Sequence, residues 1–214
     1  MISSRIRFIV GACAAVAAGA GTLVAGAPEL KPVVAGTPRL LFSEDFSNDT
    51  LSKKWQAVKG TWKVDEGKLA GKELAADKHA AVLNLNIPNQ DLIVEFDFEA
   101  KKGSWMALSF NKKRGHLWRM TANEKGFSLV KDKDKNDPKS KSLVMASATS
   151  PLKYGYTYRL QVEFKGDKIV IRSKDGSFSL SASHSDFNQL KPNIRFVMRG
   201  DSLKMDNLKV WALK

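Results

Sequence analysis

Glu95-Phe96-Asp97-Phe98-Glu99 sets three carboxylates at alternate positions of a segment whose other face is Leu92, Val94, Phe96 and Phe98. Alternation of that length predicts a half-buried β-strand, so the three acids share a face. Paired carboxylates are the usual means of glycoside hydrolysis, and a retaining mechanism wants them about 5–5.5 Å apart. Positions i and i+4 on an extended strand have Cα atoms roughly 13 Å apart, so Glu95 and Glu99 would have to lean inward. The competing reading makes Glu95, Asp97 and Glu99 the wet face of a strand, satisfied by neighbouring lysines. It is the stronger one, because Ala100-Lys101-Lys102-Gly103 ends the strand at once.

A second set is built on histidine, of which the chain has three. His79 has Lys72 and Glu73 upstream, and His116 lies with Asn111 and Arg119. An imidazole serves as a base near neutral pH, and a guanidinium holds a carboxylate or an oxyanion. Strand ends beside loops are where a rigid scaffold carries its sites. On this reading His79, His116 and Glu73 form the catalytic group, and Arg119, Asn111, Trp105 and Lys72 bind substrate. Parity argues the other way. His116 falls in step with Trp118 and Met120, and His79 with Ala81 and Leu83, which suits packing at the edge of a core. His184 reads as part of an exposed loop.

Tryptophan offers flat faces for sugars to stack on. Trp105 alternates with Ala107, Ser109 and Asn111, a small and polar set that suits a groove floor, whereas Trp62 and Trp211 sit among apolar neighbours and read as core. Asp132, Asp134 and Asn136 have the 1, 3, 5 spacing of a calcium loop. However, Asp137 stands where a glycine is needed, Leu143 where a glutamate is needed, and no helices flank them; the segment reads as a solvated loop. There is no zinc-ligand spacing, phosphate-binding glycine loop, nucleophilic cysteine or nucleophile elbow. No metal or cofactor is implied.

The elements that must position these residues are short strands. From Leu40 to Trp211 apolar residues recur at every second position between turns of Gly, Asp, Asn, Pro and Lys. Asp65-Glu66-Gly67-Lys68 and Lys165-Gly166-Asp167-Lys168 read as hairpin turns, and Ser185 to Leu190 as at most one helical turn. About a dozen strands at this spacing predict an all-β protein of two stacked antiparallel sheets.

Met1 to Ala27 has the parts of a secretory signal: Arg5 and Arg7, an apolar stretch from Phe8 to Val24, then small residues. Export with cleavage is expected; a lipobox-like Val10-Gly11-Ala12-Cys13 and an uncleaved anchor are the weaker alternatives. Residues 28–39 read as a linker and 40–214 as one domain. Cys13 is the only cysteine, so the mature domain must be held by its core. The full chain carries a net charge of +13. With no basic helix and no RNA-binding aromatic motif, that charge fits acidic polymers or anionic cell surfaces rather than nucleic acid, and a merely solvated lysine-rich surface is the stronger reading.

Leu41-Phe42-Ser43-Glu44-Asp45-Phe46, Gly60-Thr61-Trp62-Lys63-Val64 with Gly67-Lys68-Leu69, and Met205-Asp206-Asn207-Leu208-Lys209-Val210-Trp211 together resemble concanavalin A-like jelly rolls. More narrowly they resemble the 3-keto-disaccharide hydrolase group and its laminin-G and family 16 glycoside hydrolase relatives in secreted bacterial proteins. The resemblance covers residues 40–212. It implies a jelly-roll sandwich whose first and last strands pair, a ligand site on the concave sheet face, and a carbohydrate or glycoside as partner, with no membrane contact after signal cleavage. By the same analogy Glu95 would be a nucleophile, Glu99 an acid/base and Asp97 their electrostatic partner. Two functions follow as expectations: a glycoside-acting enzyme of the 3-keto-disaccharide hydrolase type, or a non-catalytic laminin-G-like module that binds glycans, cell-wall material or a protein.

Overall fold

The structure, a computed structural model, describes residues 28–214. The signal, its cleavage motifs and Cys13 lie outside the described residues. Within them run fifteen strands: β1 (Pro38–Glu44), β2 (Trp55–Lys59), β3 (Thr61–Asp65), β4 (Lys68–Lys72), β5 (Ala81–Leu85), β6 (Leu92–Ala100), β7 (Trp105–Asn111), β8 (His116–Asn123), β9 (Gly126–Lys131), β10 (Leu143–Ala148), β11 (Tyr158–Lys165), β12 (Lys168–Ser173), β13 (Ser179–Ser183), β14 (Ile194–Arg199) and β15 (Leu203–Leu213). Two single turns of 3₁₀ helix, Ala75–Asp77 and Ser185–Phe187, complete the elements.

The strands form two antiparallel sheets stacked as a jelly-roll sandwich. The first has the order β13-β12-β11-β6-β15-β4-β3 with β1 also on β15; the second has the order β10-β9-β8-β7-β14-β5-β2. The first and last strands lie side by side, Phe42 opposite Val210. Alternation explains the core between the sheets. Leu92, Val94, Phe96 and Phe98 of β6 face Leu108 and Phe110 of β7 and Phe196 of β14, and all are buried. Phe96 meets Phe196 edge-on at 5.6 Å, and Phe110 stacks on Trp118 at 4.3 Å. Both sequence-predicted hairpins form. In the β3–β4 turn Glu66 and Gly67 adopt φ of 52° and 68°, the left-handed pair that matches strand twist.

Two features differ from the sequence reading. The segment read as a linker is bound to the outer face of the first sheet. The backbone N–H groups of Glu29 and Leu30 donate to Glu95 (2.9 and 3.0 Å), and those of Val33 and Val34 donate to Glu163 (2.8 and 3.0 Å). Val34 closes a small apolar cluster with Ile93, Val170, Trp211 and Leu213, so Trp211 is buried beneath this strap, outside the inter-sheet core. In addition β10 was not foreseen, because Leu143 and Val144 are exposed and carry no burial pattern.

Candidate functional site

The outer face of the second sheet holds an open groove of about 510 Å³. Its floor comes from four neighbouring strands. β7 contributes Trp105, Ala107 and Ser109, β14 Arg195, Val197 and Arg199, β8 His116, Arg119 and Thr121, and β5 Val82. Period-two alternation puts these residues outward because their sequence neighbours Met106, Leu108, Phe110, Phe196 and Met198 fill the core. The register aligns them in rows. Asn84, Arg195, Ser109 and Arg119 are successive cross-strand partners, and the next row is Val82, Val197, Ala107 and Thr121.

His116 reaches this face through an irregularity. The β7–β8 register shifts between Phe110 and Asn111, so that Phe110 pairs with Trp118 while Asn111 pairs with His116. Two consecutive residues, Leu117 and Trp118, therefore turn into the core, and His116 lands on the side of Arg119 instead of the side of Trp118. A one-residue offset of this kind re-aims a side chain, and such offsets recur beside sites. The imidazole Nδ1 is 2.9 Å from Asn111 Oδ1, which accepts its proton and leaves Nε2 as the acceptor nitrogen. Burial lowers the His116 pKa, and the nearby Asp132 carboxylate only partly opposes that.

Asp132 comes from the loop read as solvated, yet it turns inward and is buried. Its Oδ1 forms an ion pair with Arg119 Nη1 at 2.8 Å, and its Oδ2 has no hydrogen-bond partner. Burial raises its pKa against the lowering effect of Arg119. Arg195 donates through Nε to Asn84 Oδ1 at 2.9 Å, and burial lowers its pKa. Glu73 accepts from the Gly200 N–H at 3.0 Å and lies 3.6 Å from Arg199 Nε, so it positions an arginine at the groove's end without lining the groove.

The structure thus brings together Trp105, His79, His116 and Arg119, with Asn111 and Glu73 behind them. Lys72 does not join them. It ends β4, opposite Thr61 in the other sheet, with an exposed side chain. Glu95, Asp97 and Glu99 do share a face, as alternation required, but it is the outer face of the first sheet, across the core from the groove. Glu95 is capped by two backbone amides and by Gln161 Nε2 at 2.7 Å, and Asp97 takes both Nε (2.5 Å) and Nη2 (2.6 Å) of Arg159. A carboxylate already saturated by donors is poorly placed to attack or to shuttle protons, so Glu95 and Asp97 serve the strap and the sheet. Sequence reasoning passed over Arg195, Arg199 and Thr121. The signal for the arginines was present, since both fall on the alternate positions of Ile194-Arg195-Phe196-Val197-Met198-Arg199. Among the described residues no cluster of three or more His, Cys, Asp and Glu could hold a metal ion.

No family model matches the chain, and no curated protein matches it. Solved structures do resemble it. A protein of unknown function with a galectin-like fold from Bacillus subtilis aligns at TM-score 0.63 and 12% identity, over 83% of this chain and 100% of that one. The carbohydrate binding module CBM66 from Bacillus subtilis aligns at TM-score 0.58 and 18% identity, over 74% and 96%. LamAcat from Zobellia galactanivorans aligns at TM-score 0.57 and 13% identity, over 80% and 97%. At these identities the likeness is one of fold, and that fold is the concanavalin A-like jelly roll expected from the sequence.

Proposed function

We propose that this domain is exported and binds a polysaccharide along the open face of its second sheet. The observation that carries the reading is the continuity and lining of the groove. At one end it shares Trp105 and Asn123 with a hollow of about 310 Å³, and at the other it shares His116 and Arg195 with one of about 220 Å³. The trough follows β7, whose seven residues span roughly 20 Å, and such a form suits an internal stretch of a polymer. Trp105 supplies a half-exposed aromatic face, and Ser109, Thr121 and Asn123 supply polar atoms over a floor of small side chains. The carbohydrate binding module and the LamAcat structure have a similar fold, which supports the choice of ligand class. The N-terminal sequence of Arg5, Arg7 and the apolar stretch to Val24 supports export.

Binding is favoured over hydrolysis because no Asp or Glu lines the central groove and Glu124 alone lines the hollows that continue it, whereas the two-carboxylate mechanism needs a pair there. A second reading, acid/base action on a modified glycoside, rests on His116, whose imidazole is kept neutral by burial and oriented by Asn111.

The test is a glycan array with wild type and Trp105→Ala, paired with a release assay on 3-keto-glycosides. Loss of the groove's aromatic stacking platform should weaken binding by about thirtyfold or more, while the partly exposed position spares the fold. Retained binding in Trp105→Ala refutes the groove as the site. Turnover abolished by His116→Ala establishes the catalytic reading instead.

A further inference from the structure

We propose that the groove selects an acidic sugar, and that Arg195 and Arg119 hold its anionic group across Ser109. This proposal rests on the carbohydrate reading above and names the class of ligand.

The groove is lined by three arginines and two histidines and by no carboxylate. Arg195 carries the argument. It is half-buried, its only protein partner among the described residues is the neutral Asn84, and no acid lies within ion-pairing distance. A cation withdrawn from water without a counter-charge is costly, and a bound anion removes that cost. The depressed pKa of Arg195 has the same cause. Arg119 sits two strands away in the same cross-strand row, with Ser109 between them. Two strand spacings put the two backbones roughly 10 Å apart, and the residue between them is a small, buried serine on the groove floor. Both guanidinium groups can therefore reach one oxyanion from opposite sides. Each has donors to spare, since a guanidinium has five N–H groups and the structure uses Nε of Arg195 and Nη1 of Arg119.

Asp132 fixes Arg119 from behind, and as a buried carboxylate it holds the fork in one orientation. The planar fork matches a carboxylate with two parallel hydrogen bonds, which explains arginine here in a chain rich in lysine. A uronate carboxylate and a sulfate ester present the same oxyanion chemistry.

The experiment is an array of neutral, uronate-bearing and sulfated oligosaccharides with a single-stranded oligonucleotide as a further probe. Hits are titrated calorimetrically against the full chain and against Arg195→Gln, Arg119→Gln and, on the first sheet, Lys168→Gln. Acidic sugars should be the hits, each arginine variant should weaken them by about tenfold to a hundredfold, and Lys168→Gln should leave them unchanged. Preference for uronate or for sulfate identifies the source of the anion, and either supports the proposal. Arg119→Gln leaves Asp132 buried without its partner and can lose the fold; Arg195→Gln, whose partner is neutral, keeps the readout. Neutral hits that depend on Trp105 overturn the charge selection and leave the carbohydrate reading standing. Acidic hits indifferent to both arginines, or equally weakened by Lys168→Gln, overturn it as mere net charge, and so does preference for the oligonucleotide. Silence from every sugar brings down both readings.

Discussion

Lys191 gives a prediction whose size follows from its surroundings. It is fully buried at the end of the sandwich, where its Nζ donates to the carbonyls of Gln90 (2.9 Å) and Gln189 (2.8 Å) and lies 4.6 Å from the centre of the Phe164 ring. Its backbone pairs with Asn89, so it ties two connecting loops together. Carbonyls and a ring solvate an ammonium only in part, and the attraction of the Asp91 carboxylate offsets only part of the cost. Burial pushes its pKa down from 10.5 to about 8. A depression of about 2.5 units corresponds to about 3 kcal/mol. The folded state releases this proton near pH 8, while the unfolded chain keeps it until about 10.5. Between those values the unfolded state binds more protons, so stability rises with pH. Below pH 8 the penalty for the buried ammonium is present in full.

The assay is urea unfolding followed by tryptophan fluorescence from pH 7 to 10.5, for wild type and Lys191→Met. Other groups titrate in this range, so the informative quantity is the difference between the two curves. It should climb by about 3 kcal/mol in favour of wild type across the window. A difference that stays flat, with both proteins folded, would show that the ammonium is as well solvated in the native state as in water.

Glu95→Gln should lower stability by about 1–3 kcal/mol, because an amide nitrogen then replaces one of the two oxygens and faces the N–H of Glu29 or of Leu30, each of which donated to its own carboxylate oxygen. Hydrogen exchange should show those two amides losing protection while β6 keeps its own. Gly126 adopts φ of 120°, and a Cβ there would lie 2.2 Å from the Ala148 carbonyl oxygen. Gly126→Ala should therefore cost well over about 1 kcal/mol and loosen β9 from β10, read as a lowered urea midpoint. His116, held below its ordinary value by burial, should protonate only in acid. Unfolding free energy should fall as pH drops from about 6.5 toward that lowered value, since the unfolded chain takes up the proton first. His116→Gln should flatten that part of the acid limb, and an unchanged limb would place the histidine in water.

The fold was legible because its determinants are local. Period-two alternation marked β6, β7, β11 and β14, and the turn glycines marked the hairpins; each of these signals is complete within ten residues. β10 escaped because an edge strand with Leu143 and Val144 in solvent has no buried face to impose a pattern. The strap escaped for a different reason. Proline and glycine do exclude regular structure from residues 28–37, but they do not say whether irregular chain is free or held, and here buried acids on distant strands hold it.

The site divides along the same line. Trp105, Ala107 and Ser109 were read as a groove floor because an unbroken strand preserves parity from end to end. The same rule, applied to β8, put His116 in step with Trp118 at the edge of the core, and there it failed. Parity is conserved only while the register is, and the offset at Asn111 inserts one residue between His116 and Arg119. Nothing in Gly115-His116-Leu117-Trp118-Arg119 announces that offset; it is settled by which of Leu117 and Trp118 the opposite sheet can accommodate, and it accommodates both. The acidic set shows the complementary limit. Alternation correctly gave Glu95, Asp97 and Glu99 one face, but a strand has two faces, and whether the polar one looks onto a groove or onto a strap is decided by chain that lies more than sixty residues away in sequence. The residues that could do chemistry in this protein are therefore selected by register and by long-range cover, and the arginines of the groove are charged side chains that both leave on an open outer face.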